Sequence, residues 1–282
     1  MAWPVSRRVA ERPAGVSGQT WAGSDRSAQD SGRRPRGAAR QAHGASVGRL
    51  LRSILAAIAL AGLLVALVSM VLLLREAPPA GPAKADLMAQ AQARGAGWVP
   101  LGDVPQVMQQ AIIDTEDARF YDHHGLDLLG MTRAMLANVR AGHPVQGGST
   151  ISQQLAKRYL ERSDPTAERK LLVLAMAAKL EARYDKADIL EMYLNSIYFG
   201  PYAYGLRSAA RVYFHKPVAE LDLAESTLLA GLPQAPSLYD PIHDLTRVKA
   251  RQRVVIAAME RAGDLTPAQA DAARTARTAL DP

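Results

Sequence analysis

Apolar and polar positions divide the chain into three stretches. From Ser53 to Leu74 the sequence SILAAIALAGLLVALVSMVLLL runs 22 residues without a charge. At about 1.5 Å per residue this covers roughly 30 Å, the thickness of a bilayer's hydrocarbon core. A core helix of a soluble domain carries a polar stripe, and this stretch has none. The competing reading is a cleaved signal peptide, whose apolar region is about 7–15 residues long and lies nearer the start. The length predicts a single retained transmembrane helix over residues 53–74. Residues 1–52, rich in Gly, Ser, Arg and Ala with little apolar periodicity, read as a disordered basic tail. Residues 75–95 read as a Pro/Ala/Gly linker that turns into a short helix.

Beyond residue 95 the pattern is helical. "WVPLGDVP" at 98–105 is extended, because proline restricts its neighbours. A helix is predicted from Asp103 and Pro105, with the acid capping and Val107, Ala111, Ile112 and Thr115 on one face. It delivers Glu116 and Asp117 to its C-terminal end, where the helix dipole disfavours acids by up to about 1 kcal/mol. That placement points to function more than to scaffolding. Asp164-Pro165 predicts a second start, and Asp185 caps a third helix through "KADILEMYLN". Further helices are expected near 203–212, 221–231 and 244–262. No long stretch alternates with a period of two, so the fold class is mostly α.

Charge sets the orientation of the span. Arg33, Arg34, Arg36, Arg40, Arg49 and Arg52 precede it, and only Arg75 and Glu76 follow closely. The positive-inside rule puts the N-terminus in the cytoplasm and the rest outside. The net charge of +7 suggests an anionic partner, but much of the excess sits before residue 53. A topogenic tail accounts for it better than a nucleic-acid-binding arm, so no nucleic-acid partner is expected. With no Cys in the chain, disulfides and thiolate chemistry are excluded, and the six His form no familiar metal spacing.

The densest chemistry is "EDARFYDHHGLD", Glu116 to Asp127. Four blocks follow it in order: "GGSTISQQLAK" at 147–157, "RK" at 169–170, "ILEMYLN" at 189–195 and "YGLRSAARVYFHKPVAELDLAESTLLAGLPQAPSLYDP" at 204–241. Together they resemble the peptidoglycan glycosyltransferase family, the lysozyme-like module of class A penicillin-binding proteins and monofunctional transglycosylases. The resemblance covers roughly residues 96–262, leaving 263–282 as a C-terminal tail. It implies a lysozyme-like domain behind one membrane anchor. The activity it implies is polymerisation of lipid II, a lipid-linked disaccharide-peptide, into glycan strands, with inversion and release of undecaprenyl pyrophosphate.

The same resemblance assigns roles. Glu116 matches the general base. Asp117 matches a hydrogen-bonding support, and His123 either a proton shuttle or a structural residue. His124 sits at a variable position, Phe120 packs and Gly125 permits a turn. Ser149 and Thr150 match substrate- or pyrophosphate-binding residues, and the Gln153 and Gln154 side chains fix loop and sugar hydroxyls. Lys157, Arg158, Arg169 and Lys170 are the candidate pyrophosphate cations, reinforced by a helix N-terminus. Glu191 and Asn195 share a helix face and shape the cleft from behind, and Gly231, Pro233, Pro236, Tyr239 and Pro241 shape a loop. Partners implied are lipid II, the growing strand, the membrane and other wall-synthesis proteins such as transpeptidases. The bacterial inner membrane is the implied location.

The chain departs from the family at its donor site. The second Glu, three residues after RK, is replaced by Val173. Pro165 stands where Arg is usual, and Arg158 where Asn is usual. Glu181 lies two turns from Val173, about 12 Å along the axis. A divalent cation such as Mg2+ is the candidate cofactor in the family, and loss of this acid weakens the case for it here. Reduced activity, or a non-catalytic homologue that binds lipid II or glycan, is the alternative expectation. A glycan-cleaving hydrolase is a third. The sequence has no SxxK, SxN and KTG set, so a monofunctional enzyme without cross-linking chemistry is expected.

Overall fold

The computed structural model describes residues 36–142, 147–160, 166–236, 238–278 and 280, with side chains from Leu50 onward. The chain divides into two units, 1–59 and 60–282. Helix α1, Arg36–Glu76, contains the apolar stretch. Its Leu50–Glu76 segment is long and apolar enough to cross a membrane, by length and composition. Most of the tail assigned to residues 1–52 lies outside the described residues.

The second unit is helical. Among the described residues the sole β pairing is one antiparallel bridge, Tyr198 to Tyr204. Helix α2 (Ala83–Ala93) buries Ala83, Leu87 and Ala91, so the core includes residues assigned above to a linker. Helix α3 (Gln106–Glu116) buries Met108, Ala111, Ile112 and Ile113. The expected Asp103 cap does not form. Asp103 ends a short 3-10 turn, and Pro105 occupies the cap position with no side-chain hydrogen bond. Proline's fixed φ sets the entry geometry in its place.

Helix α4 (Leu128–Ala141) was not apparent in the sequence pattern, because its apolar residues face outward. Leu128, Leu129, Met135 and Val139 are each about two-thirds exposed, and Ala134 alone is buried. Helix α5 (Ile151–Tyr159) follows, then α6 (Ala167–Arg183). The α6 cap is Thr166, which accepts from Arg169 N–H. Asp164 and Pro165, expected to start this helix, lie outside the described residues. Helix α7 (Lys186–Ser196) is capped by Asp185 as expected.

Helices α8 (Gly205–Phe214), α9 (Leu223–Gly231) and α10 (Leu245–Ala262) confirm the remaining periodic segments. Helix α9 is buried on every side from Ala224 to Gly231, and packs on both α3 and α10. Two of its polar side chains are paired: Glu225 takes part in a capping box with Asp222 and an ion pair with Lys216, and Thr227 accepts from Gln252. This arrangement makes α9 the post behind α3, and so behind Glu116. Helix α11 (Pro267–Thr275) packs Ala270 and Ala273 into the core, so residues assigned to a C-terminal tail are partly structural.

Candidate active site

The site forms where α3 ends against the start of α5. Glu116 is the last residue of α3, and Asp117 leaves the helix with φ −159° and ψ 69°. Asp117 is buried and fully engaged. Its Oδ1 and Oδ2 lie 2.9 and 3.0 Å from His123 Nε2, and Oδ2 accepts Ile151 N–H at 3.0 Å. One carboxylate thus anchors the first turn of α5, whose orphan N–H groups favour an anion. Burial raises its pKa, and the His123 and Ile151 bonds act in the opposite sense. His123 is buried with its Nδ1 unpaired among the described residues. Its place beside Asp117 and the Phe120 ring is that of a structural histidine.

Thr150 caps α5, accepting Gln153 N–H at 3.2 Å and donating to Gly125 O at 2.8 Å. Gln153 Nε2 donates to the same carbonyl at 3.1 Å. Gly125 has φ +83°, and an added Cβ would meet Glu181 Cγ at 3.3 Å, so glycine suits both the conformation and the space. Glu181 itself is held by Ser152 Oγ and by Lys186 Nζ at 2.7 Å. It is committed to the floor of the site and does not replace the missing acid.

Glu116 is chemically distinct from Asp117. Gln154 Nε2 donates to its Oε2 at 2.7 Å, and Tyr193 Oη donates to Gln154 Oε1 at 3.1 Å. Burial raises the Glu116 pKa, Gln154 and the Arg251 charge pull it down, and Asp117 pushes it up. Arg251 reaches this position from α10, donating Nε–H to Gly231 O at 3.2 Å. A Cβ on Gly231 would sit 2.9 Å from Arg251 Cγ, so this glycine serves close helix packing in α9 and not the loop expected from sequence.

A shallow cleft of about 80 Å³ opens beside Glu116, lined by Asp114, Thr115, Asp117, Asp127, Arg133, Gly147, Gly148, Ser149 and Thr150, among others. The structure thus brings together Glu116, Asp117, Ser149 and Thr150, with Gln154 behind them. It does not bring every expected cation there. Lys157 and Lys170 are exposed and Arg169 half-buried, and none lines the cleft. Arg158 donates to Ser196 O at 3.0 Å and Gln90 Oε1 at 3.5 Å, tying α5 to α7 and α2. It does not line the cleft. Arg133 on α4 is instead an exposed cation on the cleft wall.

Val173 is half-buried and packs against the main core. Among the described residues no three His, Asp or Glu side chains cluster to hold a metal ion. Glu191 accepts from Trp98 Nε1–H at 3.0 Å and Leu101 N–H at 2.8 Å and pairs with Lys84 at 2.9 Å, while Asn195 exchanges two 2.8 Å bonds with Val99. They clamp segment 98–101 to α7, the supporting role expected of them.

The sequence did not single out Arg251, Tyr193, Arg133 or Asp114. Arg251 and Tyr193 sit in segments that read as ordinary helix, and only the tertiary packing of α7, α9 and α10 turns them toward Glu116. Asp114 lies two residues before Glu116, half-buried, with its Oδ2 lacking a donor. Burial, and then Asp264 beside it, push its pKa up to about 7.

Residues 84–260 match the family model described as Transglycosylase. The chain is 44% identical over 177 residues to penicillin-binding protein 1A of Escherichia coli K12, covering 63% of this chain and 21% of that protein. It is 46% identical over 159 residues to penicillin-binding protein 1A of Neisseria cinerea, covering 56% and 20%. The crystal structure of penicillin-binding protein 1A from Haemophilus influenzae aligns with TM-score 0.39 at 26% identity, over 64% of this chain and 18% of that one. The chain spans about a fifth of the length of the curated relatives it matches.

Proposed function

The chain belongs to the transglycosylase family, and from that premise we propose that it is a membrane-anchored peptidoglycan glycosyltransferase acting on lipid II. The observation that carries the reading is Glu116, held at the mouth of the cleft by Gln154 with its pKa raised by burial. A raised pKa makes the ionised carboxylate a stronger base, and a positioned base contributes about 10²–10⁴-fold. Glu116 takes the proton of the acceptor's sugar 4-hydroxyl as that oxygen attacks the donor's anomeric carbon. The bond from that carbon to the pyrophosphate oxygen breaks with inversion, and undecaprenyl pyrophosphate leaves with the electron pair.

The leaving group gathers negative charge, and electrostatic stabilisation there is a large part of catalysis. Arg133 supplies a cation at the cleft wall, with Lys157, Arg169 and Lys170 further along the substrate. Helix α4 exposes a continuous apolar face, and patches of this kind seat proteins on membranes. In this reading α1 spans the inner membrane with its N-terminus in the cytoplasm, and α4 rests on the outer leaflet where lipid II is presented. Other wall-synthesis proteins, transpeptidases among them, are the natural partners of an enzyme that makes uncrosslinked strands.

A second reading is kept by one observation, Val173 packed where the family carries an acid. In it the protein binds lipid II or glycan without turnover. Incubating the detergent-solubilised protein with lipid II, with and without divalent metal, and sizing the products decides between them. Strand growth is the expected result; binding without growth replaces the first reading by the second.

A further inference from the structure

The connection between α7 and α8 is a tightly bonded turn. Phe199 N–H donates to Ala203 O and Ala203 N–H to Gly200 O, both at 2.9 Å, and Gly205 N–H donates to Ile197 O at 2.8 Å. From beneath, buried Tyr213 Oη donates to Phe199 O at 3.3 Å. Gly200, at φ +136°, leaves room that a Cβ would lose, since Tyr213 Oη would then lie 2.2 Å away.

At the tip of this turn Tyr202 has φ +61°. An aromatic residue in the left-handed region is strained, and such strain persists only where the surroundings enforce it. Yet Tyr202 is 89% exposed, and among the described residues its side chain has no partner. Nothing in the fold stabilises a tyrosine there. Two residues on, Tyr204 faces Tyr198 with ring centroids 4.6 Å apart, and the Arg94 guanidinium lies over the Tyr204 ring at 5.2 Å. The turn therefore displays two exposed aromatic rings and one cation on a pre-organised backbone.

We propose that Tyr202, Tyr204 and Arg94 form a carbohydrate-binding platform, outside the catalytic cleft, that holds the elongating glycan strand. None of the three lines the cleft. Aromatic faces are electron-rich, and the C–H groups on one face of a pyranose ring complement them. The tyrosine hydroxyls remain in water and meet the sugar's polar edge. Carboxylates on a peptide-bearing strand match Arg94. Rigidity lowers the ordering cost of binding, which accounts for a strained but well-bonded turn. Tyr193, tied to Glu116 through Gln154, is five residues before Tyr198, so the two are at most about 18 Å apart along the chain.

The identity of the strand rests on the glycosyltransferase reading, but the platform is testable apart from it. Tyr202→Gly removes the ring and relieves the left-handed strain; Tyr202→Asn does the same with a second residue that tolerates this conformation. The full chain in detergent is mixed with soluble uncrosslinked peptide-bearing glycan strands. Both variants are expected to bind roughly five-fold more weakly, the loss of one stacked ring, while melting at the same or a higher temperature. Arg94→Gln should weaken binding mainly at low ionic strength. Unchanged strand affinity in both Tyr202 variants overturns the platform. Normal synthesis from lipid II with unchanged strand binding removes the platform and leaves the polymerase. Tyr202-dependent binding with no synthesis removes the polymerase and leaves the platform.

Discussion

Gln154 donates its side-chain amide to Glu116 at 2.7 Å while its carbonyl oxygen accepts the buried Tyr193 hydroxyl at 3.1 Å. Turning the amide over would set its carbonyl oxygen against the Glu116 carboxylate and lose that bond. It presents a donor to Glu116 in every productive geometry, and leaves the other carboxylate oxygen for a substrate proton. Glu116→Gln keeps size but cannot take that proton. Strand synthesis from lipid II is expected to fall by about 10²–10⁴, with a melting temperature near that of the parent. Normal polymerisation by this variant would remove Glu116 as the base.

The neighbours of Glu116 set where activity fails in acid. Burial raises its pKa, so the base form is lost as pH falls through a value above the ordinary carboxylate range. Arg251 and Gln154 both lower that pKa. Arg251→Met and Gln154→Ala are therefore expected to move the acidic limb of the rate profile to higher pH. Arg251→Lys should restore part of the shift by restoring charge. A limb that stays put in both variants, with only the plateau reduced, would show that these residues support the fold and not the base.

The helices with one apolar face were legible in the sequence: α3, α7, α8 and α10 follow from spacing and from caps such as Asp185, while α9 is apolar enough to be buried all round. Helix α4 was not, because its apolar side chains point outward and leave no buried stripe to complete the pattern. Of the site, Glu116, Asp117, Ser149, Thr150 and Gln154 were legible because their blocks are local in sequence. Arg251 was not, since it meets Glu116 only after α10 packs on α9 and α3 across a glycine. The place of Arg158 was illegible for a related reason. A cation on α5 can turn to either neighbour, and the Ser196 carbonyl captured it.

Asp114 predicts a pH dependence of stability. Its carboxyl faces Asp264, which also accepts from Gln110 Nε2–H at 2.9 Å. With a folded pKa of about 7 against an ordinary 3.8, the folded state holds the proton more tightly than the unfolded chain. The stability this contributes is fully present below the ordinary value and is lost as pH rises through about 7. Asp114→Asn cannot ionise. The parent should melt progressively earlier from pH 5 to pH 8, and the variant should show a smaller decline, a comparison made by thermal unfolding across that range. Parallel curves for the two proteins would mean that the acid pair does not titrate there.

Val173 separates a tuned donor site from a lost one. The side chain is half-buried on α6 against the main core, on the same helical face as Ala177, whose backbone lies under Gly125. Val173→Glu would place a carboxylate against apolar neighbours. Unpaired, it either loses several kcal/mol of solvation or takes up a proton, and the nearest acid toward the floor, Glu181, already holds Lys186 and Ser152. The expected outcome is a protein that melts earlier, by an amount equivalent to about 1–3 kcal/mol, and makes strands no faster with or without Mg2+. Synthesis by the parent chain should persist, because Arg133 still faces the cleft and one well-placed electrostatic donor is worth about 10²–10³ in rate. Both quantities are measured on one preparation, melting by fluorescence and synthesis by product length. A variant that melts normally and gains metal-dependent synthesis would show instead that the surroundings of residue 173 still accommodate the family's acid.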